Sequence, residues 1–241
     1  SCSGFPIMTL SIRPVIEQDI PEIEEIEKEA FPTLWPRTPF KRDMYNKRIG
    51  YLVVTELEDS CKSVDSEIET NTSIPFSKKP NLYQRLSRTI QSTLFHENPP
   101  MKTLAQPLGF VSVWFLSDDA HITAIAVRSS WRGSGLGELL MIGGIEAAMS
   151  RNSRVVTLEV RVSNSVAISL YEKYGFKKIG IRKGYYNDNR EDAVIMTTEP
   201  IRSLSYENRF AKLCQEYSHR HFDLNLAMKD PTLSFQSTGM L

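Results

Sequence analysis

The sequence has few cysteines, and its charges cancel. Three cysteines, Cys2, Cys61 and Cys214, lie far apart among 241 residues, and no CxxC motif occurs. This pattern argues against a disulfide framework and against a zinc site, and it fits a reducing compartment, the cytoplasm. The 29 Lys and Arg side chains balance 29 Asp and Glu, so the net charge gives no reason to expect direct contact with nucleic acid or with an anionic membrane.

Long apolar runs are also lacking. No stretch approaches the roughly 20 apolar residues of a membrane-spanning helix. The first residues, SCSGFPIM, have neither the basic segment nor the apolar run of a signal peptide. We therefore expect a soluble cytoplasmic protein that acts as a monomer. Its length allows one domain with a sizeable core and some additional segments.

Hydrophobic periodicity separates an ordered body from three other segments. A leader, 1–8, precedes the body, 9–201, and an extension, 202–241, follows it. A hydrophilic insertion, 57–106, interrupts the body. Within the body, alternating apolar residues predict strands over 9–13, 51–55, 108–116, 120–127, 154–162, 176–180 and 193–198. Helical spacing and capping residues predict helices that begin near residues 20, 39, 136 and 164 and end near residues 30, 47, 149 and 174.

The insertion and the extension carry weaker signals. The composition of the insertion is typical of a solvated, partly disordered segment. Four residues at four-residue spacing also fit a short helix with a basic side, which could dock on a negatively charged partner such as ribosomal RNA: Leu82, Leu86, Ile90 and Leu94. In the extension, four residues predict one more helix: Leu204, Phe210, Leu213 and Tyr217. We interpret His219 and His221 as solvated residues rather than metal ligands.

The most informative stretch is HITAIAVRSSWRGSGLGELL, residues 121–140. It reads as an apolar strand, a turn with Gly133, Gly135 and Gly137, and the start of a helix. Glycine lets backbone N–H groups approach a ligand closely, and a helix N-terminus favours negative charge. The stretch therefore predicts an anion site, most simply for a phosphate or pyrophosphate.

Spacing narrows the kind of anion site. A P-loop requires GxxxxGK[ST], and no Lys-Ser or Lys-Thr follows Gly137. The dinucleotide fingerprint GxGxxG is disfavoured because the three glycines fall at GxGxG, and Glu159 is the sole acidic candidate for the ribose position. A plain tight turn without a ligand stays open from the turn alone.

A longer span resembles a known family. RGSGLG fits the [RQ]xxGx[GA] pattern of the GNAT superfamily of acetyl-CoA-dependent N-acetyltransferases. Downstream, TLEVRVSNSVAISLYEKYGF and KGYYNDNREDAVIM resemble the RimI-like branch, the ribosomal-protein-alanine N-acetyltransferases. The resemblance is dense over 107–200. It is looser over 9–56, where EAFPTLWPRTPF corresponds to the family's substrate-side loop, and it does not cover 57–106 or 202–241.

The resemblance implies a fold and an activity. The fold is α/β (α+β), a GNAT fold with a central mixed, mostly antiparallel twisted sheet of about seven strands and about four flanking helices, to which this chain adds the inserted segment and a C-terminal helical extension. The activity is N-alpha-acetylation, in which acetyl-CoA donates its acetyl group to a protein N-terminal amine. The family's substrate is the N-terminal alanine of a ribosomal protein.

The resemblance also implies roles for particular residues and no metal. Glu159 is the catalytic base, and Tyr171 is the catalytic acid. Residues expected to bind acetyl-CoA are the main chain of Ile125, Ala126 and Val127, the turn residues Arg132, Gly133, Ser134, Gly135, Leu136 and Gly137, and also Asn164 and Tyr171. Residues expected to contact the substrate are Leu34, Trp35, Tyr185 and Tyr186.

The chemistry of these residue types agrees with such roles but leaves alternatives. A peptide α-amine has a pKa of about 7.7–8.0, so a single carboxylate suffices to deprotonate it at neutral pH. Glu159 lies in an apolar strand that would partly bury it, although it could equally be an outward-facing charge. Tyr171 could be a packed core residue, and Asn164 a helix N-cap. Acetylation of another amine (lysine, a polyamine or a small molecule) and a non-catalytic acetyl-CoA-binding interaction module remain alternative functions.

Overall fold

Seven strands and five α-helices make up the described part of the chain. The computed structural model describes residues 9–34, 36–57 and 105–221. The strands are β1 (Thr9–Pro14), β2 (Ile49–Leu57), β3 (Pro107–Leu116), β4 (Asp119–Val127), β5 (Val155–Arg161), β6 (Phe176–Arg182) and β7 (Ala193–Thr198). The helices are α1 (Ile20–Ala30), α2 (Phe40–Asp43), α3 (Leu136–Ser150), α4 (Ser165–Lys173) and α5 (Leu204–Arg220). Two short 3-10 helices, Glu17–Asp19 and Ser129–Trp131, precede α1 and the glycine turn.

The strands form one sheet in the order β1-β2-β3-β4-β5-β7-β6. Among these seven strands β4 and β5 run parallel, and all other neighbours run antiparallel. The chain therefore adopts the mixed, mostly antiparallel seven-stranded sheet that the sequence predicts, and the predicted GNAT fold is confirmed.

The parallel pair β4–β5 is joined over part of its length. Pairing runs from Asp119 with Val155 to Ile122 with Leu158 and stops there. The register between β3 and β4 shifts between Ser112 and Val113, and a β-bulge of this kind bends the strand that contains it. The second half of β4 and the end of β5 are thus unpaired with each other, and the sheet has an opening at its centre.

Helix α3 lies against the sheet beside this opening. It is buried from Leu136 to Ala148 except at Gly137. A Cβ added at Gly143 would collide with Ile12, and one at Gly144 would lie 3.3 Å from side-chain atoms of Val111 and Ile122. The absence of side chains at this glycine pair lets the helix backbone approach the sheet.

The extension forms helix α5, as predicted, but with a different buried face. Tyr206, Phe210, Cys214 and Tyr217 are buried and join the main hydrophobic core. Leu204, which was expected to face the core, is 77% exposed. The thiol of Cys214 is free and buried. Aromatic residues thus attach the helix to the same core as α3 and β5.

The structure corrects three further expectations. Helix α2 ends at Asp43 rather than near residue 47, because the chain enters a turn in which the Asn46 side chain accepts a hydrogen bond from the Arg48 N–H at 3.0 Å. Strand β5 ends at Arg161 rather than at residue 162, and Val162 beyond it is 43% exposed. His221 is not solvated. Its ring packs against Gly135, where an added Cβ would collide with it.

Other expectations lie outside the described residues. They concern the leader 1–8, Trp35, the helix within the insertion, and residues 222–241. Within the described residues, no helix is long and apolar enough to cross a membrane. Those residues also contain no cluster of His, Cys, Asp and Glu able to hold a metal ion.

Candidate functional site

The opening between β4 and β5 exposes main-chain groups of β4. The Arg128 N–H donates to the Leu108 carbonyl at 2.9 Å, and Ala126 faces Phe110 two residues earlier. Since main-chain groups alternate in direction along an antiparallel strand, the main chain of Ala126 points to β3, whereas that of Ile125 and Val127 points into the opening. The N–H and C=O groups of Ile125 and Val127 can therefore bond an extended ligand lying in it.

The glycine turn connects this strand to α3 and has the shape of an anion cradle. Gly133 and Gly135 have φ of 80° and 89°, which favour glycine. No side chain caps α3 at its cap residue Gly135, and the first N–H groups of a helix have no acceptor within it. Among the described residues, a Cβ at Gly133 or Gly137 would meet nothing within 4 Å. Open space and free N–H donors at a helix N-terminus fit a phosphate or pyrophosphate.

Side chains of α1 anchor the front of the turn. The Ser129 N–H donates to Glu29 Oε2 at 2.9 Å, and this hydrogen bond holds the pKa of Glu29 below its usual value. Arg128 forms ion pairs with Glu22 and Glu29. The Arg132 guanidinium donates to the Glu29 carbonyl at 3.3 Å and is otherwise exposed. The start of the turn is therefore fixed to α1, with one arginine at its rim.

Glu138, in the first turn of α3, is neutralised by cations. Its Oε1 lies 2.7 Å from Lys173 Nζ and 2.8 Å from Arg220 NH2, and it accepts a hydrogen bond of 2.6 Å from the Tyr174 hydroxyl. Burial raises the pKa of Glu138, but these three hydrogen bonds lower it more, and the net shift is downward. A carboxylate beside the anion cradle is thus paired rather than free to repel a phosphate.

Glu159 lies where β5 leaves β4, and its side chain is 7% exposed. Its Oε2 is 2.8 Å from His121 Nε2, and its Oε1 is 3.2 Å from Arg182 NH2. On the other side of the imidazole, Nδ1 lies 2.7 Å from Thr157 Oγ1. The imidazole of His121 thus lies between the Glu159 carboxylate and the Thr157 hydroxyl, with one ring nitrogen in contact with each. The carboxylate is therefore held in one orientation at the opening.

Tyr171 lies in α4, the helix that follows β5. Its ring packs 5.7 Å, centroid to centroid, from that of Phe176, and it contacts the main core. Burial raises the pKa of Tyr171 to about 12. The hydroxyl is consequently protonated at neutral pH and available as a hydrogen-bond donor.

The loop between β6 and β7 presents two tyrosines to the site. The rings of Tyr185 and Tyr186 are in edge contact at 5.2 Å. Burial raises the pKa of Tyr185, and the negative charge of Glu159 raises it further, whereas Arg182 lowers it. Burial also raises the pKa of Tyr186 to about 12, with the nearby Arg161 opposing this shift and Tyr171 adding to it. These electrostatic effects indicate that both tyrosines lie near Glu159 and that Tyr186 also lies near Tyr171.

Arg161 holds this loop in place. It is two residues from Glu159 on the same face of β5, and its guanidinium lies 3.8 Å from the centroid of the Tyr186 ring. It pairs with Asp188 at 2.7 Å and with Glu191 at 3.0 Å. Hydrogen bonds from Ser163 lower the pKa of Glu191 to about 2, so both acidic partners are charged. The contacts of Arg161 thus fix the conformation of the loop that carries the two tyrosines.

The loop after α1 meets the β6–β7 loop. Thr33 Oγ1 donates to Asp188 Oδ2 at 3.2 Å. The neighbouring Leu34 is 38% exposed, and Arg37 closes the loop on itself through the carbonyls of Phe31 and Pro32. The two segments expected to contact substrate therefore touch each other across the site, as far as the described residues go.

Asn164 lies at the start of α4. Its side-chain carbonyl accepts from the Ala167 N–H at 3.1 Å, so the residue is an N-cap. The side-chain NH2 group is left for another partner, and the residue is exposed. The capping role does not conflict with a contact to a ligand in the opening.

The sequence did not predict three residues of the site, nor the contact of helix α5 with the glycine turn. His121, Arg161 and Arg182 contact Glu159 or the tyrosine loop, and α5 packs against the glycine turn. The position of Arg161 on the polar face of β5 was a signal for one of them. His121 gave no local signal, because its contact with Glu159 arises from the pairing of β4 with β5.

Comparisons with known proteins show what this chain is similar to. Residues 83–176 match the model of the Acetyltransferase (GNAT) family. Over 88 residues the chain is 48% identical to a Bacillus subtilis (strain 168) protein named as a candidate ribosomal protein bS18-alanine N-acetyltransferase. This aligned region covers 36% of this chain and 58% of that protein. Over 77 residues the chain is 44% identical to an N-alpha-acetyltransferase of Sulfurisphaera tokodaii. This second aligned region covers 32% of this chain and 46% of that protein. The chain thus spans about half the length of these curated relatives.

A solved structure extends the similarity beyond the aligned sequence. The crystal structure of the ribosomal-protein-S18-alanine N-acetyltransferase from Escherichia coli superposes with a TM-score of 0.55 and 25% sequence identity. The superposition covers 80% of this chain and 94% of that one. The likeness therefore includes strands on both sides of the opening.

Proposed function

We propose that the chain is an acetyl-CoA-dependent N-alpha-acetyltransferase acting on protein N-termini, since residues 83–176 match the Acetyltransferase (GNAT) family model and the curated relatives are named acetyltransferases. Its domain would extend over 9–201, with the insertion and the extension as additions. The acceptor we favour is the N-terminal alanine of a ribosomal protein, the substrate named for the Escherichia coli structure. The observation that carries the proposal is the carboxylate of Glu159, which His121 holds in one orientation at the opening and which lies near a loop of two tyrosines.

The proposed cofactor site follows the opening and the turn. The main chain of Ile125 and Val127 would bond the extended arm of acetyl-CoA, and the side-chain NH2 of Asn164 would bond it from α4. The turn from Arg132 to Gly137 would receive the pyrophosphate at the N-terminus of α3. When bound, acetyl-CoA supplies the acetyl group as a thioester, and no metal is needed for its transfer.

Glu159 would accept the proton of the attacking amine, directly or through a water. Because an α-amine has a pKa of about 7.7–8.0, a single carboxylate is a sufficient acceptor near neutral pH, whereas lysine at about 10.4 is harder to deprotonate. His121 acts on Glu159 rather than on the amine. It orients the carboxylate through the 2.8 Å contact and is oriented in turn by Thr157.

Two donors would stabilise the charge that develops during transfer. The Val127 N–H points into the opening and is the candidate donor to the carbonyl oxygen of the acetyl group. The Tyr171 hydroxyl is the candidate donor to the sulfur as it leaves. With a pKa of about 12 it is a weaker acid than a thiol, whose pKa is about 8.5. Its contribution is therefore mainly a hydrogen bond that stabilises the thiolate.

The two loops that touch at Thr33 and Asp188 would receive the peptide. Tyr185 and Tyr186 offer partly exposed ring surface near Glu159, and Leu34 offers apolar surface in the facing loop. We include Trp35 from the sequence. A short N-terminal segment fits such a site, since its amine must reach the carboxylate while its side chain contacts the rings. We expect the protein to act in the cytoplasm as a monomer.

A peptide panel tests the proposed function. The chain is incubated with acetyl-CoA and with peptides that differ in the first residue, in parallel with a lysine-containing peptide blocked at its N-terminus and with a polyamine. We expect mass spectrometry to find one acetyl group on the α-amine, preferentially after N-terminal alanine. Acetylation confined to lysine or to the polyamine would assign a different acceptor. Binding of acetyl-CoA without transfer to any amine would indicate a non-catalytic module.

A further inference from the structure

The last turn of helix α5 packs against the glycine turn. This helix lies beyond residue 176, where the match to the family model ends. Its N-terminal half is fixed by Tyr206 and Phe210, which are buried with Tyr174, and Tyr206 donates a hydrogen bond of 3.0 Å to the Tyr174 carbonyl. Its C-terminal half runs on to the start of α3. Burial of the aromatic face of α5 thus positions the end of this helix against the glycine turn.

Two aromatic side chains of α5 contact Gly135 directly. The Tyr217 hydroxyl donates to the Gly135 carbonyl at 3.3 Å. The imidazole of His221 occupies the space where a Cβ of Gly135 would lie. The two rings support each other, with centroids 4.5 Å apart. Gly135 is therefore held on its carbonyl side and on its Cα side by the same helix.

Gly133 and Gly137 have a different environment from Gly135. A Cβ added at either of these two glycines would meet no atom of the described residues within 4 Å. The helix thus fills the space at the middle glycine and leaves the space at the outer glycines open. The helix therefore contacts the turn without filling the space in which a phosphate would bind.

Arg220 adds a charge contact at the same place. Its guanidinium lies 2.8 Å from Glu138 Oε1, in the first turn of α3. Together with Lys173, which is 2.7 Å from the same oxygen, it offsets a negative charge close to where a phosphate would bind. The end of α5 thus supplies both contact and charge to the cradle.

We infer that the end of α5 is part of the cofactor site: Tyr217 and His221 hold Gly135 in the conformation that presents the turn's N–H groups to the pyrophosphate of coenzyme A. The inference rests on the proposed function, because it concerns the same cofactor. Tyr217 and His221 are positioning residues, since both act through Gly135. Without them the turn would have to be ordered when the ligand binds, and part of the affinity would be lost.

Isothermal titration of the full chain with coenzyme A and with pantetheine tests this inference. We expect Tyr217→Phe to weaken coenzyme A roughly three- to tenfold, the effect of one hydrogen bond, and His221→Ala to weaken it about tenfold. Pantetheine lacks the pyrophosphate, so its affinity should stay within about twofold of the wild type. A general loosening of the fold would instead weaken both ligands equally.

Each variant has a matched control in the same helix. Tyr206→Phe also removes one buried tyrosine hydroxyl that donates to a carbonyl, but its partner is Tyr174 and not the turn. His219→Ala removes an exposed histidine. Both controls should bind coenzyme A like the wild type.

Several outcomes would overturn the inference. Unchanged affinity in Tyr217→Phe and His221→Ala, or an equal loss for coenzyme A and pantetheine, would leave α5 with a purely structural role. Tighter binding by His221→Ala would mean that the ring occupies space the ligand needs. A wild-type chain that binds neither ligand would refute the proposed function itself, whereas the other outcomes leave it intact.

Discussion

His121 and Glu159 face each other across the seam between β4 and β5, with His121 Nε2 2.8 Å from Glu159 Oε2. The two residues lie near the last paired positions of these strands, just before the sheet opens. The parallel pairing of β4 with β5, the only one in the described sheet, therefore brings His121 against the carboxylate that we propose as the base.

Removing the imidazole should slow acetyl transfer without weakening the cofactor. In His121→Ala the carboxylate loses a hydrogen-bond donor, and we expect kcat to fall roughly ten- to a hundredfold, the effect of a hydrogen bond to a charged group. The KM for acetyl-CoA should stay nearly constant. Thr157→Val, which removes the partner on the far side of the ring, should have a smaller effect of the same kind. Equal kcat in wild type and His121→Ala would show that the pair is structural.

Replacing the carboxylate should have the largest effect on the rate. We expect Glu159→Gln to lower kcat by about 10²–10⁴, the usual contribution of a general base. Titration calorimetry should show nearly wild-type affinity for coenzyme A, since Glu159 is not assigned to the cradle. Glu172→Gln, at a carboxylate of α4 that pairs with Lys178, is the control and should keep full activity. A full-rate Glu159→Gln enzyme would remove the base assignment.

The Tyr171 hydroxyl should matter for chemistry more than for stability. Its ring packs on Phe176, and no hydrogen bond to the hydroxyl is found among the described residues. Tyr171→Phe should therefore leave the melting temperature nearly unchanged and slow single-turnover acetyl transfer, because the leaving thiolate loses a donor. If turnover stays at the wild-type rate, Tyr171 is a core residue.

Gly135 and Gly137 should differ sharply in their tolerance of alanine. Gly135 has φ of 89° and meets His221, so Gly135→Ala should cost about 1–3 kcal/mol of stability and weaken coenzyme A. Gly137 lies in the helix and its Cβ position is open among the described residues, so Gly137→Ala should keep the stability of the wild type. Thermal melts with and without coenzyme A measure both quantities. Equal behaviour of the two variants would contradict the described shape of the turn.

Buried Glu146 should make stability depend on pH. It is 2% exposed, one of its oxygens has no hydrogen-bond partner among the described residues, and burial raises its pKa from 4.5 to about 8. Between these values the unfolded chain releases the proton while the folded chain retains it. The free energy of unfolding contributed by this group therefore falls by about 1.4 kcal/mol per pH unit as the pH rises from 4.5 towards 8.

Glu146→Gln should remove that dependence. The variant cannot ionise, so its gain in melting temperature over the wild type should be larger at pH 8 than at pH 5. Glu216→Gln, at an exposed site on α5, is the control and should show no such trend. Parallel stability curves for wild type and Glu146→Gln would mean that the Glu146 carboxylate has a compensating partner.

The sequence predicted the elements well where one local pattern decides them. Alternation marks all seven strands, and Asn164 and Gly175 mark the ends of α4, where Gly175 has φ of 85°. The end of α2 was missed because the turn at Asn46 competes with the helix pattern. The GNAT motif identified the turn, whose glycine spacing is a local feature.

The sequence could not reveal contacts that the topology creates. His121 meets Glu159 because β5 returns beside β4, and Arg182 reaches the same carboxylate from β6, the strand at the far edge of the sheet. His221 was expected to be solvated and is instead packed on Gly135, because aromatic residues on one face of α5 direct the helix there. Such contacts depend on long-range packing, for which a single sequence carries no periodic signal.

A matched pair of peptides tests the central claim most directly. Both carry the same sequence with N-terminal alanine and one internal lysine, and one of them is blocked at its α-amine. Each is incubated with the chain and acetyl-CoA, and the modified position is located by fragmentation mass spectrometry. We predict a single acetyl group on the α-amine of the free peptide and none on the blocked one. Acetylation of lysine in both peptides, or of neither peptide, would contradict the account.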